Sequence, residues 1–407
     1  METSIKKIGF VIPWFGWDIP GGAETELRGL VEHLHAAGVE VEVLTTCVKE
    51  FTADWNKNYH KEKATVERGI VIRRFKADYK IREEFARVNI KLMNNEMPLT
   101  DDEEQAFISE MINSESLYKY IREKHDEYSL FVFIPYMFGT TYYGIQECFD
   151  KAVLIPCFHE ESYIYMNIFK EAFSKVCGMA FLAAPEGKLA ERVYDLSKVN
   201  HKVLGAGVDT EFNYDADIFR KKYHIEEPFL LYAGRKDVGK NIYALIWQFE
   251  KYKKSHDNDL KLVLIGGGKV EIPDTIKDDV IDLGYIDLED KFHAYAAALA
   301  LCQPSKHESF SIVIMESWLC ERPVLIHEEC EVTKHFVESS NGGLYFSNYY
   351  EFEEEVDFLI KNPDIAKCMG QNGRAFVLEN FAWDVIVRKY VAFFEELIQQ
   401  YNEQSDI

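Results

Sequence analysis

Short runs that are apolar at every position, not at alternate ones, set the strongest limit on how this chain can fold. Leu130–Ile134, Ala152–Phe158 and Met179–Ala184 are such runs. A strand covered on both faces reads this way, and it belongs in a parallel sheet sandwiched by helices. Lys7–Trp14, Val39–Thr46 and Gly69–Phe75 add strands before them. Between the first two, Leu27, Leu30, Val31 and Leu34 keep helical spacing up to Gly38, which suits the residue just past a helix end. The pattern restarts after the glycine-containing stretch HKVLGAGVDTEFNYD, with strands expected at Phe229–Ala233, Lys261–Ile265, Val280–Leu283, Ala298–Cys302 and Pro323–His327. A chain of 407 residues exceeds one ordinary core. Two doubly wound, Rossmann-like α/β domains in tandem follow, with a ligand cleft expected between the carboxyl ends of their sheets.

Charge and cysteine usage remove several classes of function. The net charge is −23, which excludes a broad nucleic-acid-binding surface. None of the eight cysteines forms a C-x-x-C pair, so neither a disulfide scaffold nor a zinc site is expected, and buried reduced thiols are. The opening METSIKKIGFVIPWFGWD reads as a first strand and not a signal peptide. Ser129–Gln146 carries no charge, but Pro135, Gly139 and Gly144 break it into strand, turn and helix. The expectation is a soluble, cytoplasmic protein. The segment from about 78 to 128 reads as a helical insertion, with Thr100 and Glu103 spaced for a capping box. Residues 61–91 hold ten Lys/Arg against five Asp/Glu. Two readings stand for that stretch: a solvated helical surface, or a patch facing an acceptor or a membrane.

Four segments carry candidate chemistry. In LALCQPSKHESFSIVIMESWLCERPVLIH a buried strand leads to Glu308 in a loop, a helix expected to start near Ser309–Ser311, and Glu316 two turns on. Both carboxylates can then face one cleft, and the free amides at the helix start suit diphosphate oxygens. LLYAGRKDVGKN places Arg235 directly after a strand and Lys240 five residues later, cations suited to a phosphorylated ligand. Gly21 and Gly22 follow the first strand without making G-x-G-x-x-G, and allow a ligand to approach closely. His159 ends an apolar strand beside Glu160 and Glu161; structural and functional roles are evenly weighted for it.

Taken in order, GGAE at 21–24, His159, GVDTEF at 207–212, Arg235 with Lys240, GGG at 266–268, Glu308 to Glu316 and the closing Phe381–Trp383 resemble the retaining glycosyltransferases of family 4. The resemblance implies the GT-B fold. Its domains are an acceptor-side domain over 1–206, rejoined by a C-terminal helix over 382–407, and a nucleotide-sugar-binding domain over 207–381. It implies that Arg235 and Lys240 hold the donor diphosphate, and that Glu308 and His159 contact the donor sugar. Ser309, Phe310, Ser311 and Ile312 would receive phosphate and sugar oxygens, Glu316 would bind the ribose hydroxyls, and Gly22 would let its loop approach the reaction centre. Ser311 stands where the family usually has glycine. The implied activity is metal-independent transfer of a sugar, with retention, from a nucleotide-diphosphate sugar to a glycan or lipid-linked glycan in surface polysaccharide assembly. No resident cofactor is expected, and contact with the inner membrane face would be weak and peripheral. The competing readings are a non-catalytic GT-B partner that binds glycan, and a GT-B epimerase or phosphorylase.

Overall fold

A computed structural model describes residues 5–405; residues 1–4 and 406–407, which the expected domain ranges include, lie outside the described residues. One compact unit runs to Gly207 and resumes at Trp383, and the other is Val208–Ala382.

The first unit contains β1 (Ile8–Ile12), α1 (Gly22–Ala36), β2 (Val41–Thr46), β3 (Lys63–Glu67), β4 (Ile70–Phe75), α2 (Glu83–Met93), α3 (Asp101–Glu110) and α4 (Glu115–Glu123). It continues through β5 (Leu130–Phe133), α5 (Gly139–Gln146), β6 (Ala152–Leu154), α6 (Asn167–Phe173), β7 (Gly178–Phe181), α7 (Ala184–Val193) and β8 (Asn200–Val203). The eight strands form one sheet in the order β3-β4-β2-β1-β5-β6-β7-β8. Every pair is parallel except β3 with β4, a hairpin turned by Arg68 and Gly69, both at positive φ. Residues 83–123 hold α2, α3 and α4, and Thr100 and Glu103 exchange both capping-box hydrogen bonds.

The basic stretch is the hairpin, a linker and most of α2, so it is helical only at its end. Much of its charge is matched locally. Arg68 pairs with Glu32, Arg73 with Glu42, Arg74 with Glu67, Lys76 with Glu62, and Arg87 and Lys91 with Glu103. Pairing to acids on its own unit leaves far less positive surface than the composition suggests.

The second unit runs α8 (Ala216–Tyr223), β9 (Phe229–Ala233), α9 (Ile242–Ser255), β10 (Lys261–Ile265), β11 (Val280–Gly284), α10 (Leu288–Ala297), β12 (Ala300–Gln303) and α11 (Ile312–Leu319). It ends with β13 (Val324–His327), α12 (Glu331–Ser340), β14 (Gly343–Phe346), α13 (Tyr349–Lys361) and α14 (Pro363–Asn380). Its six-stranded sheet, in the order β11-β10-β9-β12-β13-β14, is parallel throughout. Leu230, Tyr232, Leu262, Leu264 and Cys302 of its strands pack under Phe249 and Phe352.

α15 (Trp383–Ser405) belongs to the first unit. Trp383 enters a slot in that unit between Gly29 and Gly207, where a Cβ on either glycine would lie 2.1 Å from a ring atom. The His33 ring stacks on the indole at 4.3 Å. Phe381, two residues earlier, packs edge-on against Phe310 and Phe336 of the second unit.

No cysteine is paired among the described residues. Five are buried and Cys157 and Cys177 are half-buried, but Cys368 on α14 is exposed, contrary to the expectation of buried thiols. No helix among the described residues is long and apolar enough to cross a membrane.

Candidate functional site

Sequence order and spatial order part company in the second sheet at one point. β10 and β11 lie to one side of β9, and β12, β13 and β14 to the other. Loops leaving the carboxyl ends of β9 and β12 therefore diverge, and such a reversal is where open α/β sheets bind ligands. Arg235 and Lys240 leave β9, and Glu308 leaves β12. Lys240 Nζ lies 2.7 Å from Glu308 Oε1, and Asn241 Nδ2 donates to the Pro304 carbonyl at 3.0 Å. The two candidate loops are thus tied to each other twice.

The β9 loop owes its shape to its own polar groups. The Asp237 carboxylate accepts from the Lys240 amide at 3.0 Å, closing a turn that presents the lysine. Gly266 has φ +112°, and a Cβ there would sit 2.2 Å from the Gly234 carbonyl oxygen. The glycine run lets the β10 loop pass under the β9 loop, where the Lys236 amide donates to the Gly267 carbonyl at 2.7 Å. Lys236 and not Arg235 is the buried cation. Its side chain is fully enclosed and pairs with Asp282 at 2.6 Å, whereas Arg235 is exposed, 3.4 Å from Asp237.

On the β12 side, Glu308 and Ser309 are half-buried and Phe310 is buried. Ser311 caps the helix in the left-handed region, at φ 69° and ψ 72°. That conformation costs a residue with a Cβ about 1 kcal/mol or more. α11 begins at Ile312, just after the expected start, because Ser311 still turns the chain. Ile312, Val313 and Glu316 form its open stripe, while Ile314, Met315 and the residues from Ser317 on are buried. Of the first-turn amides, that of Ile314 donates to the Ser311 carbonyl at 3.2 Å, and those ahead of it at the helix start have no i−4 carbonyl to receive them. Glu316 is held through both oxygens, Oε1 by Lys291 Nζ at 2.5 Å and Oε2 by the Tyr295 hydroxyl at 2.9 Å.

Gly22 and His159 belong to the first unit, and the other candidate residues to the second. Gly21 has φ +144°, and a Cβ there would strike the Glu24 carboxylate at 1.9 Å. A Cβ on Gly22 would meet nothing within 4 Å, so packing does not demand that glycine. His159 Nδ1 lies 3.0 Å from Glu161 Oε1, which accepts from the Tyr136 hydroxyl at 2.8 Å. Burial raises the Glu161 carboxyl to about 7. Glu186, in the first turn of α7, accepts from the Phe158 amide at 2.7 Å and the Leu182 amide at 2.6 Å, fixing the strand end that carries His159. Burial pushes Glu186 to about 8, against the pull of those amides.

Glu186, Lys236, Lys291 and Tyr295 are the site residues that sequence reasoning missed. Only Glu186 left a local signal, in the helix-opening run Ala-Pro-Glu-Gly.

The family model described as glycosyl transferases group 1 matches residues 215–376, which lie within the second unit. An uncharacterized glycosyltransferase of Methanocaldococcus jannaschii is 29% identical over 150 residues, covering 35% of this chain and 42% of that protein. Alpha-maltose-1-phosphate synthase of Mycobacterium tuberculosis is 22% identical over 225 residues, 48% of this chain and 56% of that protein. The chain spans about half the length of these curated relatives. Sucrose-phosphate synthase from Thermosynechococcus elongatus superimposes with a TM-score of 0.72 at 17% identity, covering 97% of this chain and 100% of that one. Anabaena HepE in complex with UDP gives 0.68 at 14%, covering 96% and 100%. At such identities the likeness speaks to fold, and the fold is GT-B: two Rossmann-like domains built on parallel sheets.

Proposed function

We propose that this chain is a group 1 glycosyltransferase that takes a sugar from a nucleotide-diphosphate sugar and passes it to a glycan or lipid-linked glycan, with retention at the anomeric carbon and without a metal. The observation that carries the reading is the Lys240–Glu308 pair, which joins the β9 and β12 loops where the winding of the second sheet reverses. The family match over the same unit supports it. So does the binding of UDP and UDP-glucose by HepE, a protein of the same fold.

On this reading the diphosphate lies against Lys240, Arg235 and the amides from Ser309 to Ile312, with Glu316 on the ribose. Breaking the anomeric bond adds negative charge to the diphosphate, and fixed cations and amides stabilise that charge most where water is scarce. Lys240 uses one of its three N–H donors on Glu308, so a phosphate oxygen can take another. Glu308, held by that lysine, contacts the sugar. The acceptor hydroxyl attacks from the side the diphosphate leaves, and a leaving-group oxygen takes its proton. Positioning and charge then supply most of the rate. The setting of the transfer would be surface polysaccharide assembly in the cytoplasm, with peripheral contact at the membrane face.

The test is thermal stability with UDP, GDP, ADP, CDP and dTDP, each with and without EDTA. A ligand at a hundred times its Kd adds about 2.7 kcal/mol to the folded state, a readily seen melting shift. One nucleotide shifting the transition with EDTA present is the expected result, together with loss of transfer in Glu308→Ala. No shift with any of them, or full turnover by Glu308→Ala, would overturn the proposal.

A further inference from the structure

Both oxygens of the Glu316 carboxylate are claimed, and both claims come from side chains of one helix. Lys291 and Tyr295 stand four residues apart on α10, hence on one face. Lys291 Nζ meets Oε1 at 2.5 Å and the Tyr295 hydroxyl meets Oε2 at 2.9 Å. Tyr295 is wholly buried, and Glu316 is on the open stripe of α11, its side chain 12% exposed. The tyrosine therefore reaches the carboxylate from inside the unit and leaves its outer edge clear. Each carboxylate oxygen accepts two hydrogen bonds, so one acceptor position remains on each. Two acceptors on a fixed carboxylate match the two donors of a vicinal diol, as a planar fork matches a carboxylate.

We infer that Lys291 and Tyr295 are positioning residues for ribose recognition: they hold the Glu316 carboxylate in the orientation that offers one oxygen to each ribose hydroxyl. Lys291 supplies the counter-charge and Tyr295 fixes the plane of the carboxylate. A free glutamate would lose side-chain freedom on binding, and the two contacts remove that cost beforehand. The inference rests on the nucleotide-sugar reading above and adds to it two residues from a helix outside the motif.

The experiment compares wild type, Tyr295→Phe and Lys291→Met by calorimetric titration with whichever of UDP, GDP, ADP and CDP binds wild type, and with its 2′,3′-dideoxy counterpart. Tyr295→Phe should weaken the ordinary nucleotide about three- to tenfold, the range expected for one hydrogen bond. Binding of the dideoxy nucleotide should change less than about twofold, because without the hydroxyls the carboxylate has nothing to receive. Lys291→Met should behave in the same way, and Lys291→Arg should recover part of the loss. Equal weakening of both nucleotides would mean a merely structural role and overturns the inference. So would unchanged affinity in both variants. If wild type binds none of UDP, GDP, ADP, CDP and dTDP, the donor reading itself has failed, and the inference with it; binding of dTDP alone, which has no vicinal diol, overturns the inference.

Discussion

Glu26 is a carboxyl group buried where its charge is unwelcome, and replacing it with glutamine should flatten part of the pH dependence of the first unit's stability. It sits on α1 with 3% of its surface exposed. Burial raises its pKa from 4.5 to about 8, and the Gly207 amide offsets only part of that. A carboxyl whose folded pKa is raised lends its full stability below the unfolded value and loses it as pH climbs through the folded one. With these two values, linkage gives a loss of about 1 kcal/mol at pH 5 and about 4 kcal/mol at pH 8, relative to a group that never ionises. The wild type should therefore lose up to about 3 kcal/mol from this residue between pH 5 and 8. Glu26→Gln should lose none of it. Glu161 and Glu186 are raised in the same direction, so wild type and variant will both weaken, and the difference between them isolates residue 26. Amide hydrogen exchange on peptides from α1 and β1, at pH values from 5 to 8 and corrected for intrinsic rates, reads that unit alone. Equal pH slopes in the two proteins would refute the argument, as would a variant that falls further behind at pH 8 than at pH 5.

Ser311→Gly should raise the melting temperature of the second unit, because glycine accepts φ 69° without the Cβ penalty; the gain should be about 0.5–1 kcal/mol, and Ser311→Ala should not share it. Calorimetry that finds the glycine variant less stable would show that the serine hydroxyl supports the fold. Trp383→Ala should cost about 3–5 kcal/mol in urea unfolding, since the slot between Gly29 and Gly207 cannot close over so large a side chain. A cost below about 1 kcal/mol would mean the slot collapses, against the packing argument.

Most strands that sequence reasoning found are those whose neighbours cover both faces; β11, an edge strand half-buried or exposed over most of its length, is an exception. β9 and β10 begin and end where their apolar runs do, since every residue from Leu262 to Ile265 and from Phe229 to Ala233 is buried. β3, β8 and β14 were not anticipated. All three lie at sheet edges and are exposed or half-buried along most of their length. An edge strand such as Asn-His-Lys-Val carries neither a continuous nor an alternating apolar signal, because its order comes from the neighbour it pairs with. The loops after β9 and β12 were legible because each carries its chemistry next to a buried strand. What sequence order hid was which groups meet. Lys291 and Tyr295 precede Glu316 by more than twenty residues, and Lys236 stood beside the more conspicuous Arg235. The basic stretch misled in the opposite way: its cations are close in sequence, but the acids that answer several of them come from other elements.

The same matching of charge governs the site. Arg235 has Asp237, Lys236 has Asp282, Lys240 has Glu308 and Lys291 has Glu316. Each cation there has its own carboxylate, so attraction of a diphosphate to a positive surface is not what drives binding on the proposed reading. On that reading the affinity comes from donors that remain after the pairing: the further N–H groups of Lys240, the guanidinium edges of exposed Arg235 and the amides that precede Ile314 at the start of α11. This makes the Lys240–Glu308 contact an orienting pair and not a barrier to be broken. On the proposed reading the lysine turns one side to phosphate while it directs the carboxylate toward the sugar. Removing either partner leaves the other misdirected and, for Glu308, with 9% of its side chain exposed and no counter-charge. The two residues should accordingly behave as one unit. Lys240→Met and Glu308→Gln should each cost nearly as much transfer as the double variant, whereas independent roles would make the losses multiply.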